Sequence, residues 1–387
     1  MTIYETQKKE LYQLLEYGNY NQLLKRIIDF TLDTDDIKHY RNTLYFIDWL
    51  ERNPQAELKD PFETILVELF RTLDAKAYDE APHTLVSIEN LIRSYKNSGF
   101  ALGPISFEIR ERQIIGLVGE NGNGKTTLLR ALCGELQPTA GQIKYLFLHE
   151  DTYDLRSHLI YIPQRTATWH GSLLSNLKFA ASTYGIVGEM NELTVQLIIA
   201  RMGLRKYRGY KWKNLSSGYK MRFELARALL RKPKLLLIDE PLANLDILAQ
   251  QIVLDDFRDI ARSPFNPVGI VLSSQQLYEV EKTSDDVIFL KNGTPRNLIN
   301  PADGVDVEYT EVPKFIVEFE TDWNMEQIGQ AMKILGLDRL EMNGGTYVAS
   351  FPAMVTTESF LRHVLDLQMP LTYFRNISRS TRRFFLS

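Results

Sequence analysis

Over residues 1 to 80 the apolar positions recur with a helical period. Leu11, Leu14 and Leu15 share one face, and Leu23, Leu24, Ile27 and Ile28 share another. Gly18-Asn19 separates the two segments. A third helix is predicted after Thr34, carrying Ile37, Tyr40, Leu44, Ile47 and Leu50. The stretch "NPQAELKDPFE" interrupts the pattern. There Asp60 suits an N-cap, Pro61 the first helical position and Glu63 the capping-box position. Phe62, Leu66, Leu69, Phe70 and Leu73 then form an apolar stripe. Residues 1–80 therefore predict an all-α module that docks on the rest of the chain, and its removal is expected to leave the chemistry of the rest of the chain intact. "AKAYDEAPHT" (75–84) reads as a linker.

From about 85 to 305 the pattern changes. Short apolar runs such as "IIGLVG", "KLLLID" and "GIVLSS" alternate with amphipathic segments, which predicts a largely parallel α/β domain. The last block, 313–387, follows its own order. "KFIVEFE" reads as a strand, 325–336 as a helix, "RLEMNGGTYVASF" as a hairpin turning at Asn343-Gly344-Gly345, 357–367 as a helix and "LTYFRNIS" as a strand. That β-α-β-β-α-β succession predicts a ferredoxin-like α+β C-terminal domain. It carries no catalytic constellation, which points to a packing or regulatory role.

The chemistry is concentrated in the middle block. "GENGNGKTT", residues Gly119, Glu120, Asn121, Gly122, Asn123, Gly124, Lys125, Thr126 and Thr127, follows a strand and opens a helix. This is the G-x-x-x-x-G-K-[ST] phosphate loop in its required context. Its glycines let backbone N–H groups curl around phosphate oxygens, and the helix N-terminus adds positive potential. Lys125 is expected to reach the β- and γ-phosphates and Thr126 to ligate Mg²⁺. Downstream, "KLLLIDEP" ends a buried strand in two carboxylates. Asp239 is expected in the outer shell of the metal, and Glu240 next to the γ-phosphate, where a water must be polarised.

On these residues the chain resembles the ATP-binding cassette (ABC) ATPases. "LSSGYKMRFELARALLRKPKLLLIDEPLANLD" (215–246) is similar to the core of that family. Leu215-Ser216-Ser217-Gly218-Tyr219 stands where the family has its Leu-Ser-Gly-Gly-Gln signature loop. Ala243 to Asp246 fills the place of the D-loop, Gln164 in "YIPQ" that of the Q-loop glutamine, and Tyr95 that of the aromatic stacked on adenine. The resemblance covers about 90–300. It implies a P-loop ABC ATPase domain over 85–305, with a helical subdomain at about 165–215. It also implies ATP and Mg²⁺ as ligands, with Gln164 beside Thr126 and Asp239 at the metal.

Such cassettes work as head-to-tail dimers, so a second ABC subunit is an expected partner. Ser216, Ser217 and Gly218 of one chain would then face the ATP held by the P-loop of the other, with Asp246 nearby. Ser217 adds a Cβ where the family has glycine, which would loosen the phosphate approach. The other implied partner is a membrane permease, received by the helical subdomain; Trp169 and the stripe Leu173, Leu177, Ala180 offer that surface or, equally, a subdomain core. The cassette with its C-terminal domain and the ending "ISRSTRRFFLS" is similar to the ATPase subunits of multidrug, polysaccharide or lantibiotic-type exporters. The N-terminal helices are not a standard part of those.

Composition narrows this further. The 387 residues carry a net charge of −4 and a single cysteine, Cys133, so an internal disulfide and a cysteine-cluster zinc site are excluded. No secretory leader is legible in "MTIYETQKKELYQLL", and no apolar run reaches the length of a membrane span. A cytoplasmic chain held at the inner face of the cell membrane through its permease is expected. Residues 201–234 hold twelve Lys or Arg (Arg201, Arg205, Lys206, Arg208, Lys211, Lys213, Lys220, Arg222, Arg227, Arg231, Lys232, Lys234) against one acid, Glu224. A basic stretch can mark a nucleic-acid surface. Its place beside a triphosphate site near a membrane face accounts for it instead, and nucleic acid is not an expected partner.

One departure bears on rate. In the family the strand after the Asp-Glu pair ends in Ser/Thr and then a histidine that contacts the γ-phosphate. In "LSSQQLYEVE" Gln275 takes that place, and no histidine lies between His170 and His363. Glutamine can donate an amide N–H but cannot carry a proton as imidazole does. The expectation is an ATPase with Glu240, Gln275 and Lys125 as its catalytic residues, working slowly. The alternatives are a nucleotide-dependent regulatory protein with minimal turnover, or a soluble nucleic-acid-associated ABC ATPase.

Overall fold

The structure is a computed structural model that describes residues 2–76, 78–95, 99–147, 152–275, 280, 283–297, 314–343 and 345–378. The chain divides into two compact units, Met1–Arg296 and Asn297–Ser387. The first opens with four helices: α1 (Ile3–Glu16), α2 (Tyr20–Asp33), α3 (Ile37–Arg52) and α4 (Lys59–Leu73). It continues as β1 (Thr84–Ser94), β2 (Ala101–Arg110), β3 (Ile114–Val118), α5 (Lys125–Leu132), β4 (Ala140–Tyr145), α6 (Thr152–His158) and β5 (Leu159–Ile162). Then come α7 (Leu173–Thr183), α8 (Gly188–Arg201), α9 (Ser217–Leu229), β6 (Leu235–Ile238), α10 (Ile247–Ala261), β7 (Gly269–Ser274), β8 (Asp286–Lys291) and β9 (Thr294–Asn297).

Two sheets form the α/β region. One is six-stranded in the order β5-β6-β7-β3-β8-β9, and the other is three-stranded in the order β2-β1-β4. In the larger sheet β7 pairs in parallel with β6 on one side and β3 on the other. Every residue of β3, β6 and β7 is buried, which is why these strands read as unbroken apolar runs. The carboxyl ends of these three strands lie side by side. That is where ligands bind in open parallel sheets.

The N-terminal helices belong to the same unit as the sheets. Tyr4, Leu11, Leu23, Ile27, Phe30, Phe62, Leu66 and Phe70 make their own core. A second cluster joins Ile28, Tyr40 and Ile47 to Leu193 and Leu197 of α8. Ion pairs extend the contact: Arg205 with Asp48 and Glu51, Arg41 with Glu189, and Lys232 with Asp35. Deepest is Arg201 at the end of α8, whose side chain is fully buried. It meets Asp29 of α2 at 2.7 Å, and Asp256 and Asp259 of α10 at 2.5 and 3.3 Å. Burial alone opposes its charge, but the three carboxylates outweigh that and hold the guanidinium above its ordinary range. Residues 1–80 thus dock on the rest of the unit through these contacts. Without α2, the apolar face at Leu193 and Leu197 is bared and Arg201 loses a carboxylate.

One further boundary differs. α4 starts at Lys59 with Leu58 as N-cap and no side-chain cap, so Asp60, Pro61 and Glu63 are not its cap, first and capping-box residues. The first helical bond runs from Phe62 N–H to the Leu58 carbonyl at 3.1 Å. The N–H groups before it have no intrahelical partner, so Pro61 costs no hydrogen bond there.

Asp33, at the end of α2, is buried and accepts from Asn266 Nδ2 at 2.6 Å and from Ser263 Oγ at 3.2 Å. Burial pushes its carboxyl up from 3.8 to about 7, with the two hydrogen bonds pulling it back and Asp29 adding to the rise. The folded value lies above the unfolded one. The group's stabilisation is therefore complete below the unfolded value and is lost as pH rises toward 7. The midpoint of thermal unfolding is expected to fall between pH 5 and pH 8, and Asp33→Asn to remove part of that slope. An unchanged slope would contradict the assignment.

The second unit contains β10 (Lys314–Glu320), α11 (Met325–Met332), β11 (Arg339–Asn343), β12 (Thr346–Pro352), α12 (Thr357–Asp366) and β13 (Tyr373–Asn376). Its antiparallel sheet has the order β11-β12-β10-β13. Phe315, Val317, Phe319, Phe351 and Phe360 anchor its own core.

Candidate functional site

The loop between β3 and α5 is shaped by glycines. Gly124 precedes α5 with φ +99°, and a Cβ there would lie 2.8 Å from Leu102 Cδ1 and 3.0 Å from Phe100 Cζ. At Gly119 a Cβ would sit 2.4 Å from the Leu290 carbonyl oxygen. The Asn123 side chain is buried, and its Oδ1 accepts from the Asn292 N–H at 2.9 Å. It thus ties the loop to the β8–β9 turn. Glu120, Asn121, Gly122 and Thr126 are exposed along the loop, and Thr127 is half-buried.

Lys125 is buried. Its Nζ donates to the Gly119 carbonyl at 2.5 Å and lies 3.4 Å from Glu240 Oε1. Thr126 Oγ1 donates to Asp239 Oδ2 at 2.8 Å. Asp239 and Glu240 follow β6, and the Asp239 N–H donates to the Ile162 carbonyl at 2.9 Å. Glu240 takes φ +51°, a left-handed conformation uncommon for a non-glycine residue. Its Oε1 is buried with no hydrogen-bond partner, while Oε2 accepts from the Gln275 backbone N–H at 3.3 Å. The structure thus brings Lys125, Thr126, Asp239, Glu240 and Gln275 together. Gln276, the second glutamine of that stretch, lies outside the described residues.

Sequence reasoning missed Ser273 and Tyr161 here. Ser273 Oγ donates to Asp239 Oδ1 at 2.6 Å and accepts from the Glu240 N–H at 2.9 Å. Tyr161 Oη reaches Asp239 Oδ2 at 3.5 Å. The signal for Ser273 was the pair of hydroxyls, Ser273 and Ser274, that ends an apolar central strand, but only the parallel register with β6 sets Ser273 beside Asp239.

A second group surrounds α9. Ser216 caps this helix, and Ser217 Oγ donates to the Asn244 carbonyl at 2.6 Å. A Cβ at Gly218 would be in ordinary contact with Leu245 and Ala249 at 3.7 Å. Asp246 caps α10, accepting from the Ala249 N–H at 2.8 Å. The extra hydroxyl of Ser217 therefore fastens the signature loop to the turn that carries Asp246. Tyr95 is exposed just past β1, with the Arg93 guanidinium 5.0 Å from its ring centre. Gln164 is exposed two residues beyond β5.

Trp169 docks on α9. Its Nε1 donates to Glu224 at 3.0 Å, and the Arg227 guanidinium sits 4.5 Å over its ring. Nearby opens a cleft of about 610 Å³, lined by Tyr161, Pro163, Tyr184, Glu224, Arg227 and Arg231 among others. Among the described residues, five of the twelve basic residues of 201–234 form ion pairs inside the unit. Arg201, Arg205 and Lys232 pair with acids of the N-terminal helices, Lys234 with Glu111 and Arg227 with Glu224.

The chain is similar to known proteins. The family model described as "ABC transporter" matches residues 102–243. A Bacillus subtilis protein, the uncharacterized ABC transporter ATP-binding protein YxlF, is 34% identical over 54% of this chain and 68% of its own length. The spermidine/putrescine import ATP-binding protein PotA of Mycoplasma mycoides is 29% identical over 57% of this chain and 62% of its own. CbiO1 of Clostridium perfringens, described as part of the ABC transporter complex CbiONQ, superposes with a TM-score of 0.51 at 23% identity, over 55% of this chain and 87% of that one, and so shares the fold. The chain belongs to the ATP-binding subunits of ABC transporters. It is an ABC ATPase.

Proposed function

We propose that this chain binds and hydrolyses ATP at Lys125, Thr126, Asp239 and Glu240, closes as a dimer around the nucleotide and drives a membrane permease. The observation that carries the reading is the single bonded set in which a lysine, a hydroxyl and two carboxylates meet at the ends of β3, β6 and β7. The P-loop backbone from Gly119 to Thr127 binds phosphates, and Lys125 supplies the positive charge against them. Glu240, with one carboxylate oxygen free of hydrogen bonds, accepts a proton from the attacking water. Ser216, Ser217 and Gly218 act on the nucleotide of the second subunit, with Asp246 beside it, and Tyr95 stacks on the base.

The donor set also fits Mg²⁺. The Thr126 hydroxyl and the Asp239 carboxylate are hard oxygen ligands already in contact, and Gln164 is the third candidate. When bound, Mg²⁺ neutralises charge on the phosphates.

Among the described residues no helix is long and apolar enough to cross a membrane. In this reading the permease is a separate chain, and it holds this one at the inner face of the membrane. The cleft beside Trp169, lined by both α9 and the end of β5, is the surface for it. We read the transport direction as export, because the cassette is followed by a β-α-β-β-α-β unit whose sheet order supports a ferredoxin-like domain. The domain division is read as 1–80, 85–305 and 313–387.

Turnover is slowed by Gln275, which meets Glu240 through its backbone and has no titratable side chain. Gln275→His is expected to raise kcat by about 10-fold or more, since one preorganised transition-state contact is worth on the order of 10²–10³. Steady-state phosphate release tests it. An unchanged kcat at unaltered ATP affinity would show the position to be neutral.

A further inference from the structure

We infer that Ser273 is the positioning residue of this ATPase: its one hydroxyl sets both the Asp239 carboxylate and the Glu240 backbone. β7 is wholly buried and runs apolar through Ile270, Val271 and Leu272 between β3 and β6 before it ends in Ser273 and Ser274. A hydroxyl inside such a strand costs desolvation unless it is bonded. Ser273 is fully buried and uses both capacities of its oxygen. It donates to Asp239 Oδ1 at 2.6 Å and accepts from the Glu240 N–H at 2.9 Å.

The register explains why this position can do so. Ile238 pairs with Leu272. The next residue on each strand, Asp239 and Ser273, therefore stand side by side where the sheet ends. Asp239 thus receives Ser273 on one oxygen and Thr126 on the other, which fixes its plane relative to the P-loop. Glu240 leaves the strand at φ +51°, where a non-glycine residue is strained. The bond from its N–H to Ser273 holds that turn. Two residues on, the Gln275 N–H holds Oε2 of the same side chain. The end of β7 therefore locates both carboxylates, and leaves Oε1 of Glu240 without a hydrogen bond, facing only the Lys125 ammonium at 3.4 Å.

This inference rests on the proposed roles of Asp239 and Glu240. The test uses the full chain, with kcat, KM and the Mg²⁺ concentration for half-maximal hydrolysis measured for Ser273→Ala, Ser273→Cys and Ser273→Thr. ATP binding in EDTA reports that each variant is folded. Ser273→Ala is expected to lower kcat about 10²-fold, the scale of a small misplacement of catalytic groups. The half-saturating Mg²⁺ should rise several-fold, with EDTA-state ATP affinity unchanged. Cysteine fills the same space with a weak hydrogen-bonding group, so Ser273→Cys should fall with Ala. Ser273→Thr keeps the hydroxyl and should stay within a few-fold of wild type. If Thr is excluded by its extra methyl and does not fold, the Ala and Cys pair decides. A kcat within twofold of wild type for Ala, wild-type kcat for Cys, or lost kcat at unchanged Mg²⁺ dependence would overturn the positioning role. Glu240→Gln and Asp239→Asn run beside them. If these hydrolyse ATP like wild type, the site reading itself fails. If they are inactive while Ser273→Ala is not, only the positioning inference fails.

Discussion

Glu240→Gln is expected to lower ATP hydrolysis by about 10²–10⁴-fold, the usual contribution of a positioned general base. Glutamine keeps the shape of the side chain and can still accept from the Gln275 N–H, so the backbone turn at Glu240 and its bond to Ser273 should persist. What is lost is the negative charge that takes a proton. The salt contact to Lys125 is lost as well, 3.4 Å away in the present arrangement. Because Lys125 also donates to the Gly119 carbonyl, its position should survive, and ATP affinity should hold or rise. Phosphate release under saturating Mg²⁺-ATP is the measurement. Wild-type turnover in this variant would remove Glu240 from the mechanism.

Arg201→Ala is expected to destabilise the Met1–Arg296 unit by about 3–5 kcal/mol, the cost of breaking a buried pair by removing one partner. The reason is what remains. Asp256 is almost wholly buried, and Asp29 and Asp259 stand close by, so three carboxylates would share one site. Lys25 and Arg26 reach Asp256 and Asp259 at 3.1 and 3.8 Å and offset only part of the loss. These contacts join α2, α8 and α10, so the loss should spread from the N-terminal helices into the helical subdomain. Chemical denaturation of the full chain measures it. A change below about 1 kcal/mol would mean that the network adds little.

What the sequence disclosed, and what it withheld, follows from how far apart the interacting residues are. The P-loop, the Asp-Glu pair and the strands that carry them are written in contiguous residues. β3, β6 and β7 fall on "IIGLV", "LLLI" and "GIVLSS" because buried parallel strands are apolar on both faces. The β-α-β-β-α-β order of the last unit was legible for the same local reasons.

Ser273 was visible as a residue but not as a partner of Asp239, since only the β6–β7 register joins them. Arg201 looked like one of twelve basic residues. Its carboxylates lie at 29, 256 and 259, and no local pattern connects these numbers. The N-terminal helices looked separable because their own stripes fill a core, yet Ile28, Tyr40 and Ile47 turn to α8. At α4 the cap signal of Asp60 and Pro61 was outweighed, with Leu58 starting the helix earlier.

If this chain is an ATP-driven clamp, its Glu240→Gln variant should have the mass of a dimer in solution with Mg²⁺-ATP and of a monomer with Mg²⁺-ADP. A monomer in both, with ATP bound, would contradict the clamp.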